Sequence, residues 1–263
     1  MTVIRSRENQ KVKAWIRLAD EPRERRRRGL ALIEGIHLVE TCLAQGGHPA
    51  SLIVSESASA RDEIAQLVRR SGVVPAILTD AIFNRISGIE TPSGIAAEIE
   101  VPQAEVDPAA SEGCVFLEGI QDAGNVGTIV RSAAAFGIPD VVVGRGCADP
   151  WSPKALRAGM GGHFFLRIGS SSDLVADVGR FGDVVVCTAA HGGVPLDSID
   201  LRGRVGWIFG SEGAGVSERV ASAATLNATI DTPGSAESLN VAASAAVCFY
   251  ERQRQVSRRA GRS

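Results

Sequence analysis

The sequence predicts an α/β protein: a parallel sheet covered by helices in its second half, preceded by a smaller α/β region. Three observations carry this expectation. From Gly113 onward, short apolar strands alternate with helical stretches, a rhythm that closes into a parallel sheet because the helical crossovers shield both faces. Apolar residues make up 44% and charged residues 22% of the 263 positions, enough for a packed core and outside the ranges of disordered, collagen-like or coiled-coil chains. Between the two patterns lies residues 101–112, rich in Pro, Ala and acid, which reads as a linker. The expected domains are therefore 1–100, a linker 101–112, and 113–263.

Taken in order, residues 6–45 read as two helices broken near Pro22. The second is placed over 29–44 by Leu30, Ile33, Ile36 and Leu43 and ends at Gly46-Gly47. Strands are expected at 51–54, 73–78 and 94–99, with helices at 60–70 and 79–86. In the second half, strand 114–118 leads to helix 126–136, which Gly137-Ile138-Pro139 stops. Strand 141–143, helix 153–160, strand 164–168, helix 173–181 and strand 184–188 follow. Strands 205–209 and 226–230 complete the sheet, and a helix from Leu239 to about Gln255 closes the pattern.

Charge is unevenly placed. The formal net charge is -2. Residues 1–28 nevertheless hold ten basic side chains against four acidic ones, and residues 251–263 five arginines against Glu251, leaving 29–250 at -12. Basic ends on an acidic body suit contact with a polyanion; composition alone balances that reading evenly against solvated helix faces. No Trp/Phe/Leu face accompanies the arginines, which disfavours a membrane surface. The longest uncharged run, 241–250, falls well short of the roughly 20 residues that span a bilayer. No apolar stretch follows Met1 as in a secretory signal, so a soluble, cytoplasmic protein is expected.

The five cysteines (Cys42, Cys114, Cys147, Cys187, Cys248) are scattered, with no C-x-x-C pair and no nearby histidine at ligand spacing. They read as reduced, buried small residues, and no metal is expected. P-loop, dinucleotide, G-x-S-x-G and H-E-x-x-H patterns are all absent. Gly144-Arg145-Gly146 lacks the third glycine of the dinucleotide fingerprint. With one tyrosine and 5% aromatics, a base-stacking platform is disfavoured too.

In such sheets ligands sit in the loops at the carboxyl ends of the strands. Three of these loops are unusual: 118–127, entering the helix that carries Arg131; 210–215, Gly-Ser-Glu-Gly-Ala-Gly; and 231–240, entering the last helix. Glycines there let the main chain approach a ligand closely, although any one such loop is also an ordinary tight turn.

Together the three loops resemble the signature motifs of the SpoU (TrmH-type) branch of the SPOUT methyltransferases. The residues are Asn125-Val126-Gly127-Thr128-Ile129-Val130-Arg131-Ser132-Ala133, then Phe209-Gly210-Ser211-Glu212-Gly213-Ala214-Gly215, then Ser238-Leu239-Asn240-Val241-Ala242. The first half, through Ser6, Asn9, Lys13 and Glu34-Gly35-Ile36-His37-Leu38-Val39, is similar to the small substrate-binding domain often fused before this catalytic domain. The resemblance implies transfer of a methyl group from S-adenosylmethionine to a ribose 2'-hydroxyl of RNA. Ribosomal RNA is the favoured substrate, transfer RNA the close alternative, and a catalytically silent RNA-binding or ribosome-assembly protein the rival from another class. It also implies a deep trefoil knot in the C-terminal part of the sheet and a homodimer.

By the same resemblance, Thr188, Ala189, Gly210, Gly215, Ile230 and Leu239 contact the cofactor. Arg131, Asn125, Glu212, Ser238 and Asn240 form the catalytic site, with Glu212 supporting Arg131 or the ribose. Arginine is a poor general base, being always protonated, so its expected role is to hold a substrate phosphate and stabilise the developing alkoxide. For Ser238, capping the last helix is a competing role. The family usually shows Ile-Pro-Met before the third loop, where this chain has Ile230-Asp231-Thr232-Pro233. That places Asp231 toward the adenosine hydroxyls or toward solvent. His191 lies near the cofactor or on the surface, and Lys154 and Arg157 face RNA or solvent.

Overall fold

The computed structural model describes residues 3–103, 105–234 and 238–260. Residues 235–237 of the third loop and 261–263 of the basic tail lie outside the described residues, as do the side chains of 258–260. The first half contains β1 (Val3–Ile4), α1 (Gln10–Asp20), α2 (Pro22–Arg28), β2 (Leu30–Glu34), α3 (Ile36–Ala44), β3 (Ser51–Ser55), α4 (Asp62–Ser71), β4 (Ala76–Leu78), α5 (Asp80–Ser87) and β5 (Ile95–Glu100). The second contains β6 (Gly113–Leu117), α6 (Ala123–Ala135), β7 (Asp140–Val143), α7 (Pro153–Gly159), β8 (Arg167–Ser170), α8 (Leu174–Phe181), β9 (Val184–Thr188), β10 (Val194–Pro195), β11 (Val205–Phe209), α9 (Glu218–Ala221), β12 (Leu226–Thr229) and α10 (Val241–Ala260).

The chain divides into two compact units. One comprises Met1–Pro102 and Asp149–Phe164, the other Gln103–Ala148 and Phe165–Ser263. The segment carrying α7, read from sequence as part of the second half, thus packs within the first unit. Arg25 shows why: its Nε meets Asp149 Oδ2 at 2.7 Å, with both side chains largely shielded from water. His37 Nε2 lies 3.2 Å from the Met160 carbonyl, and a Cβ on Gly161, at φ +85°, would press within 2.9 Å of Thr41.

The first unit holds a mixed five-stranded sheet in the order β1-β4-β3-β5-β2. The helix expected over 29–44 forms only over Ile36–Ala44. Gly29 adopts φ +63° and ends α2. Leu30–Glu34 then runs antiparallel to β5, with Ala31, Leu32 and Ile33 fully buried. A strand wins because both of its faces are covered, and Gly35 at φ +108° turns the chain into α3. α1 buries Val12, Trp15 and Leu18 at i, i+3 and i+6 against Phe83 and Ile53, so the N-terminal basic segment is part of the core.

The second unit is a seven-stranded sheet, β10-β12-β9-β11-β6-β7-β8, parallel at every pairing. Its middle strands are apolar throughout; all five residues of β6 and all five of β11 are buried. On one side Phe249 of α10 meets Trp207 and Phe209 edge-on, at 6.0 and 5.7 Å between ring centres, an arrangement that adds about 1 kcal/mol per pair beyond area burial. On the other, Phe181 of α8 packs edge-on against Phe116 at 6.3 Å. Asp140, fully buried, is held by Arg167 and Ser111 at the start of β7. All five cysteines are free thiols, and among the described residues no metal-binding cluster occurs. No described helix is long and apolar enough to cross a membrane.

Candidate active site

β12, β9, β11 and β6 are neighbours in the sheet and parallel, so the loops leaving their carboxyl ends converge. Those after β9, β11 and β12 surround a cavity of about 430 Å³, within the range of small-molecule sites. Thr188, Ala189, Gly210, Gly215, Ile230 and Leu239, expected to contact a cofactor, all line it, as do Glu212 and Ser238.

The glycine loop is built by close main-chain approach. Ser211 and Gly215 exchange N–H···O bonds at 3.0 and 2.9 Å. A Cβ on Gly210 would come within 2.2 Å of the Gly215 carbonyl, which explains glycine at that position. The far end of the loop is pinned by Glu118, whose carboxylate accepts from Ser217 N at 2.7 Å and Ser217 Oγ at 2.8 Å. Burial, with Glu118 nearby, pushes the Cys187 thiol in the cavity wall up to about 11, so it stays protonated at neutral pH and is no nucleophile.

Glu212 is the hub of the polar cluster. Its Oε1 accepts from Asn125 Nδ2 and from Asn240 Nδ2, each at 2.6 Å, and the Asn240 amide also reaches Asn125 Oδ1 at 3.2 Å. These residues come from α6, the glycine loop and the start of α10. The support expected between Glu212 and Arg131 is not formed: two amides hold the carboxylate. Arg131 is exposed on α6, six residues or about 9 Å of helix rise beyond Asn125, and makes no hydrogen bond or ion pair among the described residues.

Capping also falls differently. Asn240 Oδ1 accepts from Ala242 N at 2.9 Å and from Ala243 N at 3.3 Å, so Asn240, not Ser238, caps α10. The helix accordingly begins at Val241 rather than Leu239. Asp231 and the exposed His191 line a separate opening of about 750 Å³ with Tyr250 and Val247, and neither reaches the first cavity. Thr232, Asn227 and Ser244 do line it, though none was singled out from sequence. The available signals were a polar residue inside an apolar strand for Asn227 and the i+4 spacing from Asn240 for Ser244.

The basic N-terminal segment is largely engaged within its own unit. Arg25 donates to the Leu18 and Ala19 carbonyls besides Asp149. Arg27 pairs with Glu24, Arg5 with Glu56 and Lys13 with Glu8. Arg7, Lys11, Arg23 and Arg26 remain exposed, without an ion pair among the described residues. Arg157 of α7 turns inward, its Nη1 3.9 Å from the buried Glu34 carboxylate, while Lys154 is exposed.

A parallel sheet that brings three strand-end loops around one cavity, with a carboxylate fixed by two amides at its wall, defines an α/β methyltransferase of the SPOUT type. Comparison with known proteins agrees. Residues 113–250 match the SpoU rRNA Methylase family and residues 9–97 the MRM3-like substrate binding domain. The chain is 33% identical over 252 residues to the 23S rRNA (guanosine(2553)-2'-O)-methyltransferase RlmP of Bacillus subtilis, covering 95% of this chain and 98% of that protein. It superposes with a TM-score of 0.84, at 25% identity, on an AdoMet-bound rRNA methyltransferase from Sinorhizobium meliloti, covering 97% and 98% of the two chains. The SpoU methyltransferase AviRb from Streptomyces viridochromogenes, in complex with AdoMet, gives 0.82 at 25% identity, covering 94% and 98%. The chain belongs to the SpoU rRNA methylase family and is an S-adenosylmethionine-dependent methyltransferase.

Proposed function

We propose that this protein methylates a ribose 2'-hydroxyl of ribosomal RNA. The observation that carries the reading is the Asn125–Glu212–Asn240 cluster, whose Glu212 lines the 430 Å³ cavity. Ribosomal RNA is favoured because the similarity to 23S rRNA 2'-O-methyltransferases runs through both units, whereas a neighbour described by methylation of tRNA covers 56% of the chain at a TM-score of 0.51.

The cavity fits the cofactor: glycine main chain beside Ala189, Ile230 and Leu239 suits a nucleoside, while Thr188, Asn227 and Ser244 offer hydrogen bonds. S-adenosylmethionine, when bound, supplies a methyl group already activated on sulfonium. The protein must align the hydroxyl and assist its deprotonation. Glu212 Oε1 is occupied by the two amides while Oε2 has no partner among the described residues. Oε2 is therefore the acceptor assigned to the ribose hydroxyl, and Arg131 holds the adjoining phosphate and stabilises the alkoxide. Ser238, with the Gly210 and Gly215 main chain, lines the same wall and orients the reactants.

The C-terminal trefoil knot belongs to this reading. β12 lies between β9 and β10 in the sheet although it follows both in sequence, which supports threading of the last strand through the 189–204 loop. A homodimer is the proposed assembly, supported by exposed Val247 and Tyr250 on α10 and Val194 of β10, and ribosomal substrate implies a cytoplasmic site of action. The deciding experiment measures transfer of labelled methyl from S-adenosylmethionine to undermethylated total RNA by wild type and Arg131→Ala. Label in one ribosomal RNA with wild type alone is expected; label in transfer RNA overturns the substrate assignment. Absence of both labelling and cofactor binding favours the silent RNA-binding protein.

A further inference from the structure

At the amino-terminal end of the seven-stranded sheet, away from the loops that build the site above, lies a separate cavity of about 360 Å³. Gly113 and Val205, the first residues of β6 and β11, line it together with Arg202, Arg204 and Arg252; Glu112 is the one acidic residue among the lining residues described. Two of these three guanidiniums, Arg202 and Arg204, stand in the segment 29–250, which carries -12.

The arginines differ in how their charge is met. Arg202, exposed, forms a two-point ion pair with Asp200 at 2.7 and 2.6 Å. Arg204 has no carboxylate partner among the described residues. It stacks 4.8 Å above the Phe181 ring and donates through Nε and Nη2 to the main-chain carbonyls of Ser111, Pro108, Ala109 and Phe181, which fixes the guanidinium and leaves Nη1 unbonded. Arg252 likewise has no carboxylate. Its Nη2 reaches the Gly203 carbonyl at 3.2 Å, and its Nε is buried with no acceptor. Burial lowers the Arg252 pKa from the ordinary arginine value.

A guanidinium N–H withdrawn from water without an acceptor, as at Arg252 Nε, is unfavourable, and a protein retains such an arrangement most readily where an anion completes it. With Arg202 neutralised by Asp200, Arg204 and Arg252 outweigh Glu112 and keep the cavity positive. The leftover donors suit a tetrahedral oxyanion, which accepts several N–H bonds at once and pairs with guanidinium forks. The openings beside Gly137 and Gly203, where an added Cβ would meet nothing within 4 Å, leave room for it.

We propose that this cavity binds a phosphate oxyanion between Arg252 and Arg204, with Arg202 at its edge. The phosphate comes either from an RNA backbone or from a free phosphate-bearing molecule. This site is independent of the methyl-transfer reading, because none of its residues lies in the Glu212 cluster or the cofactor cavity.

The test follows the unfolding midpoint of the full chain as inorganic phosphate replaces chloride at constant ionic strength. Wild type should show a saturable rise; Arg252→Gln should weaken the apparent Kd at least tenfold, and the exposed Arg202→Gln a few-fold. Should Arg252→Gln fail to fold, the Arg202→Gln titration decides. Equal midpoints in phosphate and chloride, or a phosphate response undiminished in the folded variants, overturns the proposal. Given the phosphate response, RNA binding across salt concentrations tells the sources apart. A slope of log Kobs against log [salt] lowered by about 0.7–0.9 in Arg252→Gln marks an RNA phosphate, and an unchanged slope marks a free one.

Discussion

The side-chain amide of Asn125 and the carboxylate of Glu212 meet at 2.6 Å across 87 residues of sequence. A second amide, from Asn240, reaches the same oxygen at the same distance. A carboxylate in an exposed glycine loop would otherwise sample many rotamers; two charge-assisted bonds hold it in one. The three residues should therefore act as a unit. Glu212→Ala and Asn125→Ala should each lower kcat on the order of 100-fold, and the double variant should lose little more than the worse single, because coupled residues are not additive. Strict additivity in methyl-transfer assays would contradict the cluster as a functional unit.

Arg131 is exposed and its side chain has no partner among the described residues, so its removal leaves none of their buried groups unsatisfied. Arg131→Ala should fold normally and bind S-adenosylmethionine within about twofold of wild type, as calorimetry would measure. Methyl transfer should fall by at least ~100-fold, the scale of losing one group that stabilises developing charge. Loss of cofactor affinity in a folded variant would remove it from the substrate side.

Gly210 tests the cofactor cavity. Its Cβ would sit 2.2 Å from the Gly215 carbonyl, so Gly210→Ala must displace the 211–215 loop at a cost on the order of 1–3 kcal/mol. Cofactor affinity should drop tenfold or more in equilibrium binding, whereas Gly213→Ala, where nothing lies within 4 Å, should bind nearly as wild type. Equal affinity in the two variants would sever the cavity from the cofactor.

His163 governs acid stability of the first unit. It is buried, its Nε2 is 2.8 Å from the Pro150 carbonyl, and burial pushes its pKa down from 6.5 to about 4. The unfolded chain takes up this proton near pH 6.5 but the folded one only near pH 4. Its contribution is complete above pH 6.5 and is lost as pH falls through that window, by roughly 3 kcal/mol in all. Denaturant titrations should show that share of the acid sensitivity absent from His163→Phe; identical pH profiles would refute the assignment.

The basic N-terminus is both core and surface. Deleting residues 1–28 removes Val12, Trp15 and Leu18 from the first unit's core and should unfold that unit, seen as loss of its cooperative transition. Replacing exposed Arg7, Lys11, Arg23 and Arg26 with Gln should preserve the fold and flatten the salt dependence of RNA binding. An unchanged slope would make these solvated side chains only.

The strand and loop order of the second unit was legible because buried parallel strands are continuous apolar runs and their loops concentrate glycine. Thus the expected strands 184–188 and 205–209 coincide with β9 and β11 to the residue. Leu30–Glu34 was misread because Leu30, Ile33 and Ile36 satisfy helical spacing too; only pairing with β5 decides between the two periods. The short strand at Val194–Pro195 and the helix at Glu218–Ala221 are too brief to leave a periodic signal.

By itself the sequence determined the chemical inventory: which loops are glycine-rich, that Asn125, Arg131, Glu212, Ser238 and Asn240 stand on those loops or on the helices they enter, and that the cysteines form no ligand-spaced pairs. The loops and cysteines follow from local composition and spacing; the five site residues follow from the resemblance of the three loops to SpoU motifs. Tertiary structure alone decided that Glu212 is held by two amides rather than by Arg131, that Asn240 is the cap, that Arg25 is drawn into the fold by Asp149, and that Arg202, Arg204 and Arg252 surround one cavity. Such contacts join residues far apart in the chain, and their geometry is set by packing of the whole sheet, which no local window of sequence contains.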